Sequence, residues 1–388
     1  MTFNESLEKF RFLSSLYAAD APDAQLLAEY PSSNNARTLF KNNTKYIIHD
    51  PVPPPEDHLL KILGPHHLMC GWGCQIPVTS EICPPHFLTE HWNKFFEEEC
   101  APVWTPPGKD SVYITLFPHE SLPATQQAIN PDCLYKLHSK EALKEINCNQ
   151  PQTFQEMSLP CIIKLSHGYA GTGNFFVHSV EEFLKTRSLI NYRWPDARFI
   201  QTEIIQNVIG DYCAQFYLDK QGHLAWIGFT EQIFNENKRW SGGHFDLHLQ
   251  ETLYKELYHI ALPVASFLHA EGYFGVVGFD VLKNDKNELF LIDLNPRLNG
   301  STPFLIAARL LVSKGYTYGI YTPSLPFNGS FKEFLDKTDK ITQAKVLVLS
   351  AYESKANNTS IFHVSIHAQS KENCLSTLHF VKNATTSD

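Results

Sequence analysis

The sequence predicts a mixed α/β (α+β) fold in more than one domain. Two broad observations carry this. Apolar runs of strand length alternate with segments of helical spacing, and 388 residues exceed what one simple core holds. The third observation is the best-formed local signal in the chain. Apolar runs at 276–282 and 289–294 flank the polar turn 283–287, the pattern of an antiparallel β-hairpin. Each run carries one acid, Asp280 and Asp293, and Asn295 shares a face with Asp293 because side chains alternate along a strand. Buried carboxylates need partners. Two acids and an amide oxygen form the all-oxygen set that hard cations such as Mg²⁺ favour. Taken alone, the pair would equally suit two edge-strand acids facing water.

Composition removes several function classes. A net charge of −9 with no run of Lys or Arg argues against a nucleic-acid partner. No apolar stretch is long enough to span a bilayer, so no membrane partner is expected. The N-terminus lacks the basic start and apolar core of a secretory signal. Nine scattered cysteines, an odd number, fit free thiols in a reducing compartment, hence a cytoplasmic location. Cys70, Cys74, Cys83 and His86 have zinc-ligand chemistry, but their spacing is loose and Pro84-Pro85 intervene. Free thiols are the favoured reading there, and His66-His67 beside Pro65 reads as loop.

In chain order, residues 6–19 have helical spacing through Leu7, Phe10, Leu13 and Leu16 or Tyr17. Residues 23–30 suggest a second helix. The proline-rich 50–57 is extended, since each proline fixes φ and lacks a donor. Strands are expected at 58–63, 67–70 and 112–117, and a helix at 88–99. Residues 131–146 read as one helix with Leu134, Leu137, Ala142, Leu143 and Ile146 on its apolar face, carrying Lys136 and Lys140. The strand 159–165 follows, with Lys164 near its end, and then a glycine-rich loop, 166–174. Gly168, Gly171 and Gly173 let backbone amides approach an anion without Cβ obstruction. The spacing fits neither a P-loop nor a dinucleotide fingerprint, and the loop joins strand to strand.

A strand at 175–178 and a helix at 180–185 complete that unit. Further strands are expected at 198–205, 213–218 and 224–229. The polar stretch 231–244, with Arg239, Trp240 and Gly242-Gly243, reads as a mobile loop over a site. Residues 251–271 are the clearest helix, with Leu253, Leu257, Ile260, Val264, Phe267 and Leu268 facing a core. Beyond the hairpin, 344–351 and 361–368 read as strands that either extend the core or form an interface.

The order of these pieces is informative. A helix lysine precedes a strand lysine and a glycine loop. A Glu-aliphatic strand follows at Glu203, then a paired-acid hairpin ending in Asp293-Leu-Asn-Pro-Arg297. The set resembles the ATP-grasp superfamily of ATP-dependent ligases over residues 130 to 310. The resemblance implies an N-terminal α/β pre-grasp domain at 1–125. It implies a core at 126–320 in which two α+β subdomains clasp ATP, with a lid at about 150–205. Residues 321–388 would form a C-terminal extension packed on the core.

The resemblance also implies roles. Lys140 and Lys164 would contact ATP phosphates, with Lys136 competing for the first role. Ser166, Gly168, Gly171, Thr172 and Gly173 would close over the β- and γ-phosphates. Glu203, Ile204 and Ile205 would form the hinge at the adenine, and Asp211 would meet the ribose. Asp280, Asp293 and Asn295 would hold one or two Mg²⁺ ions, with Mn²⁺ an acceptable substitute. Arg297 would face the transferred phosphate, Asn299 and Ser301 would lie near the acceptor, and Arg239 would reach in from its loop. This sequence departs from the family in two places: the second-strand acid, often Glu, is Asp293, and residues 206–209 separate the aliphatic pair from Gly210.

Family members typically activate a carboxylate as an acylphosphate and let an amine or thiol displace phosphate. The implied partners are therefore small-molecule carboxylate and amine substrates, amino acids or small peptides among them, and a homodimer is left open. A kinase on the same fold and a nucleotide-binding module without turnover are the alternatives. The full set of Lys164, Asp280, Asp293, Asn295 and Arg297 speaks against the latter.

Overall fold

The structure is a computed structural model that describes residues 2–9, 13–22, 24–27, 45–46, 78–79, 86–95, 104–105, 110–119, 122–168, 173–236, 239–354 and 358–386. The Cys70, Cys74 and Cys83 thiols, the His86 side chain, the pair His66-His67 and the strands expected at 58–63 and 67–70 lie outside the described residues.

Near the N-terminus, α1 (Phe3–Lys9) and α2 (Leu13–Asp20) cover the described residues of the helix expected at 6–19, and residues 10–12 lie outside them. The second expected helix is a strand, β1 (Ala24–Leu27). With β2 (Val78–Thr79), β3 (Trp104–Thr105) and β4 (Val112–Ile114) it forms a parallel four-stranded sheet in the order β3-β2-β1-β4. A short apolar run has no periodicity that separates strand from helix, and pairing on both sides decided this one. α3 (His86–Asn93) carries the buried Trp92.

The expected helix at 131–146 breaks in two. α4 (Pro131–Leu137) starts at an Asn130 cap, and a 3₁₀ turn, Lys140–Glu145, starts at Ser139. The break has a local cause. The Lys140 amide donates to the Ser166 carbonyl at 2.8 Å, so it leaves the helical ladder for the glycine loop.

β5 (Thr153–Phe154), β6 (Cys161–Leu165), β7 (Asn174–Val177) and β8 (Phe199–Thr202) form an antiparallel sheet in the order β5-β8-β6-β7. With α5 (Val180–Arg193) this sheet encloses its own core of Cys161, Ile163, Leu165, Val177, Phe183 and Ile190.

The main body is an eight-stranded sheet in the order β13-β12-β9-β10-β11-β14-β16-β15. Its strands are β9 (Val208–Leu218), β10 (Leu224–Phe234), β11 (Trp240–Asp246), β12 (Gly275–Asn284), β13 (Leu289–Asn295), β14 (Tyr318–Asn328), β15 (Ala344–Ser354) and β16 (Thr359–Ala368). The stretch 231–244 is therefore largely a hairpin of paired strands. Pairing replaces most of the expected mobile loop, because Glu231, Gln232 and Ile233 stand opposite His244, Gly243 and Gly242, and residues 237–238 lie outside the described residues. The two C-terminal strand patterns join the same sheet, so 318–368 supplies three of its eight strands.

Against the sheet lies α6 (Leu247–Ala270), capped by the Asp246 carboxylate on the His248 and Leu249 amides. Leu253, Leu257, Val264 and Leu268 are buried as the spacing predicts. Each such burial stabilises by about 1.5–3 kcal/mol. α7 (Thr302–Val312) follows the hairpin, α8 (Phe331–Thr338) lies near β15, and α9 (Lys371–Thr386) packs on β14 and β16. Among the described residues no helix is long and apolar enough to cross a membrane.

Candidate active site

The site is built on one face of the eight-stranded sheet. Asp211, Cys213 and Gln215 alternate along β9 and so share a face. Their ladder partners on β12 are Leu282, Asp280 and Gly278. On β13, Asp293 stands opposite Asp280 and Asn295 opposite Gly278. The register slips between Asp280 and Val281, leaving Ile292 without a cross-strand partner. Bulges of this kind re-aim neighbouring side chains. Here the bulge lies beside Asp293, and the Ile292 carbonyl accepts from Lys164 Nζ at 3.1 Å.

Two lysines approach this floor from the other side. Lys140 Nζ makes a short ion pair with Asp293 Oδ1, an oxygen that also accepts from the Leu294 amide at 2.8 Å. Lys164 comes from β6 and is buried; burial pulls its pKa down to about 8, with Asp293 opposing. Lys136 is elsewhere, in an exposed ion pair with Glu271 at 2.8 Å, and of the two only Lys140 lines the cleft.

Asp280 shows one edge to the cleft while its Oδ1 is shut from water and has no hydrogen-bond partner among the described residues. Burial first, then the charges of Asp293 and Asp211, push its pKa well above the carboxylate range. Burial also raises Asp211, to about 6, against a hydrogen bond from Gln232 Nε2 at 2.8 Å. The negative charges of Asp293 and Asp211 thus oppose ionisation of Asp280, and a cation at Asp280 would relieve that opposition. The orphaned Asp280 oxygen and the all-oxygen donors of Asp280, Asp293 and Asn295 fit a hard divalent ion.

The far wall follows the hairpin. Arg297 Nη2 donates to Asn295 Oδ1 at 2.9 Å and its guanidinium stacks 5.2 Å from the Phe117 ring. Asn299 Nδ2 donates to the Arg297 carbonyl at 2.8 Å. A Cβ on Gly278 would collide with that Asn299 amide, so the glycine is required by close approach. Fully buried Gln215 ties the wall to β9. Its Nε2 donates to Ser301 Oγ at 2.8 Å and its Oε1 accepts from Thr302 Oγ1 at 2.6 Å.

Lys140, Lys164, Asp211, Asp280, Asp293, Asn295, Arg297, Asn299 and Ser301 thus line one cleft of about 200 Å³. Other expected residues sit apart from it. Ser166 is buried at the base of the glycine loop, sharing a 2.7 Å hydrogen bond with the Ser139 hydroxyl. Gly173 closes that loop at φ +86°, and its carbonyl accepts from the Leu165 amide. Gly168 flanks it, while Gly171 and Thr172 lie outside the described residues. Glu203, Ile204 and Ile205 form the connection from β8 to β9; Glu203 Oε1 accepts from the Gln152 amide at 2.8 Å. None of these three lines the cleft. Arg239 does not either: it is exposed at the tip of the β10–β11 hairpin, its amide bonded to Asn235 Oδ1. Its neighbour Trp240 lines the cleft instead, with Asn174, Gln232 and Phe234. Sequence reading missed Gln232 and Phe234, although their two-residue spacing signals a shared strand face. Gln215 gave no such signal, because its value lies in two partners more than eighty residues away.

A family model described as L-aspartate–L-methionine ligase, ATP grasp, matches residues 140–295. The ADP complex of N5-carboxyaminoimidazole ribonucleotide synthetase superposes with a TM-score of 0.51 at 13% identity, over 82% of this chain and 89% of that one. The biotin carboxylase domain of Hydrogenobacter thermophilus 2-oxoglutarate carboxylase, in complex with MgADP, ADP and bicarbonate, gives 0.49 at 13% identity, over 79% and 73%. Biotin carboxylase from Campylobacter jejuni gives 0.48 at 13%, over 65% and 67%. At 13% identity the likeness to the synthetase is one of fold.

Proposed function

We propose that the chain is an ATP-grasp enzyme, and that it is an Mg²⁺-dependent, ADP-forming carboxylate–amine ligase that joins amino acids. The carrying observation is the facing pair Asp280 and Asp293, with Lys140 and Lys164 on one side and Arg297 on the other. Phosphoryl transfer needs little from a protein beyond position and charge, and this cleft supplies both.

In this reading Asp280, Asp293 and Asn295 hold the ion. When bound, Mg²⁺ neutralises charge on the β- and γ-phosphates. Lys140 and Lys164 bind phosphate oxygens, and the loop 166–173 excludes water that would hydrolyse an acylphosphate. Asp211 meets the ribose. Arg297 orients the carboxylate that takes the γ-phosphoryl group, with ADP leaving. The amine then attacks that carbonyl carbon near Asn299 and Ser301, the C–N bond forms, the acyl C–O bond breaks with its electrons going to the departing phosphate, and the amine nitrogen loses a proton to solvent or to that phosphate.

The matching family model makes L-aspartate and L-methionine the first pair to assay. The free thiols of Cys133, Cys148, Cys161, Cys213 and Cys374 support a reducing, cytoplasmic setting. The test is ADP release across paired amino acids with Mg²⁺, read together with product mass. A new amide with stoichiometric ADP is expected. A phosphorylated substrate and no amide would replace the ligase with a kinase, and no ATP turnover would remove both.

A further inference from the structure

Cys213 is buried and lines the cleft, yet phosphoryl transfer as described asks nothing of it. It stands on β9 directly opposite Asp280 on β12. Opposed ladder residues share a face, with Cβ atoms about 4.5–5.5 Å apart. The thiol is therefore the cross-strand neighbour of the carboxyl that would hold the ion.

Two common roles for a cysteine do not suit this one. Burial first, and then the charge of Asp280, push its thiol pKa well above the usual value. Nucleophiles and redox sensors act as thiolates, and this setting disfavours the thiolate. A protonated thiol is instead a weak hydrogen-bond donor. Burial raises the Asp280 pKa, and a hydrogen bond from Cys213 opposes that rise by favouring the carboxylate. The sulfur in turn accepts from Gln215 Nε2 at 3.8 Å, which leaves its proton for Asp280. Gln215 is itself fixed by Ser301 and Thr302.

A carboxylate that binds a cation needs a neighbour that orients it. For Asp293 this is done by Lys140 and the Leu294 amide. Asp280 has no partner on Oδ1 among the described residues. A lysine in place of Cys213 would orient Asp280 but also neutralise it. A thiol orients it and leaves its charge for the ion.

We propose that Cys213 is a positioning residue for the divalent-cation site: its thiol, steadied by Gln215, holds the Asp280 carboxylate in place for the ion. This rests on the metal-dependent reading above. The chain Thr302–Gln215–Cys213–Asp280 then ties the wall beyond the hairpin to the ion.

The test is Mn²⁺ binding to the full-length protein, with and without ADP, read by electron paramagnetic resonance of the free ion. C213A and C213V both remove the donor, and valine also keeps the bulk of the thiol. Each should raise the Kd for Mn²⁺ by roughly tenfold or more, while the Kd for ADP without metal stays within about twofold. C213S keeps a donor and should bind Mn²⁺ within about threefold of wild type. Wild-type Mn²⁺ affinity in C213A and C213V would overturn the proposal. So would a loss in C213S equal to theirs, or an equal loss of metal-free ADP binding, because packing would then explain the effect. In each of these cases the wild type still binds the ion and the metal reading stands. A wild type that binds ADP but no Mn²⁺ would end that reading, and the positioning role with it.

Discussion

Asp280 and Asp293 face each other across a single ladder position, and the two carboxylates are treated differently. Asp293 is held by Lys140 and by the Leu294 amide, while Asp280 keeps Oδ1 buried without a hydrogen-bond partner among the described residues. A buried carboxylate in that condition destabilises the protein until a cation or a proton arrives. The first two predictions follow from this asymmetry.

Asp293→Ala and Asp280→Ala should each abolish Mg²⁺-dependent ATP turnover while circular dichroism stays native. Asp293→Ala also strands the buried Lys140 ammonium, so its melting temperature should fall. Turnover within about tenfold of wild type in either variant would remove the hairpin from the phosphoryl-transfer site.

Stability should depend on pH in a defined direction. Asp280 has a folded pKa above its unfolded value, so the folded state holds the proton more tightly. Its destabilising effect is absent below the unfolded pKa, near 3.8, and grows as pH rises toward the raised folded value. Without Mg²⁺, Asp280→Asn should therefore melt higher than wild type at pH 8, and the gap should close toward pH 4. Adding Mg²⁺ at pH 8 should raise the wild-type midpoint and leave the variant unmoved. A wild type that is more stable than D280N at pH 8 without metal would contradict the assignment.

Lys164 carries the opposite linkage. Burial lowers its pKa to about 8, so free protein at that pH holds the lysine only partly charged. Bound phosphates would raise that pKa. ATP binding near pH 8 should then take up on the order of half a proton, seen by titration calorimetry in buffers of different ionisation enthalpy. Lys164→Met should bind ATP more weakly, lose the uptake and lose most of the ATP-induced rise in melting temperature. Full thermal stabilisation in the variant would move the phosphate contact elsewhere.

Gln215 offers a test of the far wall. Replacing it with Ala leaves Ser301 and Thr302 without their shared partner in a buried setting, a loss of about 1–3 kcal/mol. The melting temperature should drop, and kcat should change more than the KM for ATP, because the proposed mechanism puts this wall at the acceptor and not at the nucleotide. An unchanged kcat would show that the Asn299–Thr302 turn holds its place without β9.

Much of this protein was legible in its residues, and the legible parts share a cause. The hairpin of Asp280 and Asp293 and the apolar stripe of α6 are set by contacts between near neighbours in sequence. Turn chemistry and side-chain periodicity record such contacts directly. Elements whose form depends on distant partners were misjudged. Residues 24–27 became a strand because two other strands flank them, and the helix at 131–146 broke because Lys140 bonds to Ser166. Arg239 looked like the functional residue of its segment, yet the β10–β11 register exposes it and turns Trp240 to the cleft.

The sequence by itself determined the list of chemical groups: two lysines, a glycine loop, two acids, an asparagine and an arginine, in an order that limits the fold. The tertiary structure alone decided how they meet. It brought Lys140 and not Lys136 to the cleft, put the bulge at Ile292 beside Asp293, and set Gln215 under Ser301. It also joined residues 318–368 to the same sheet. Distances between groups far apart in the chain are set by packing and strand register, and no local pattern encodes them.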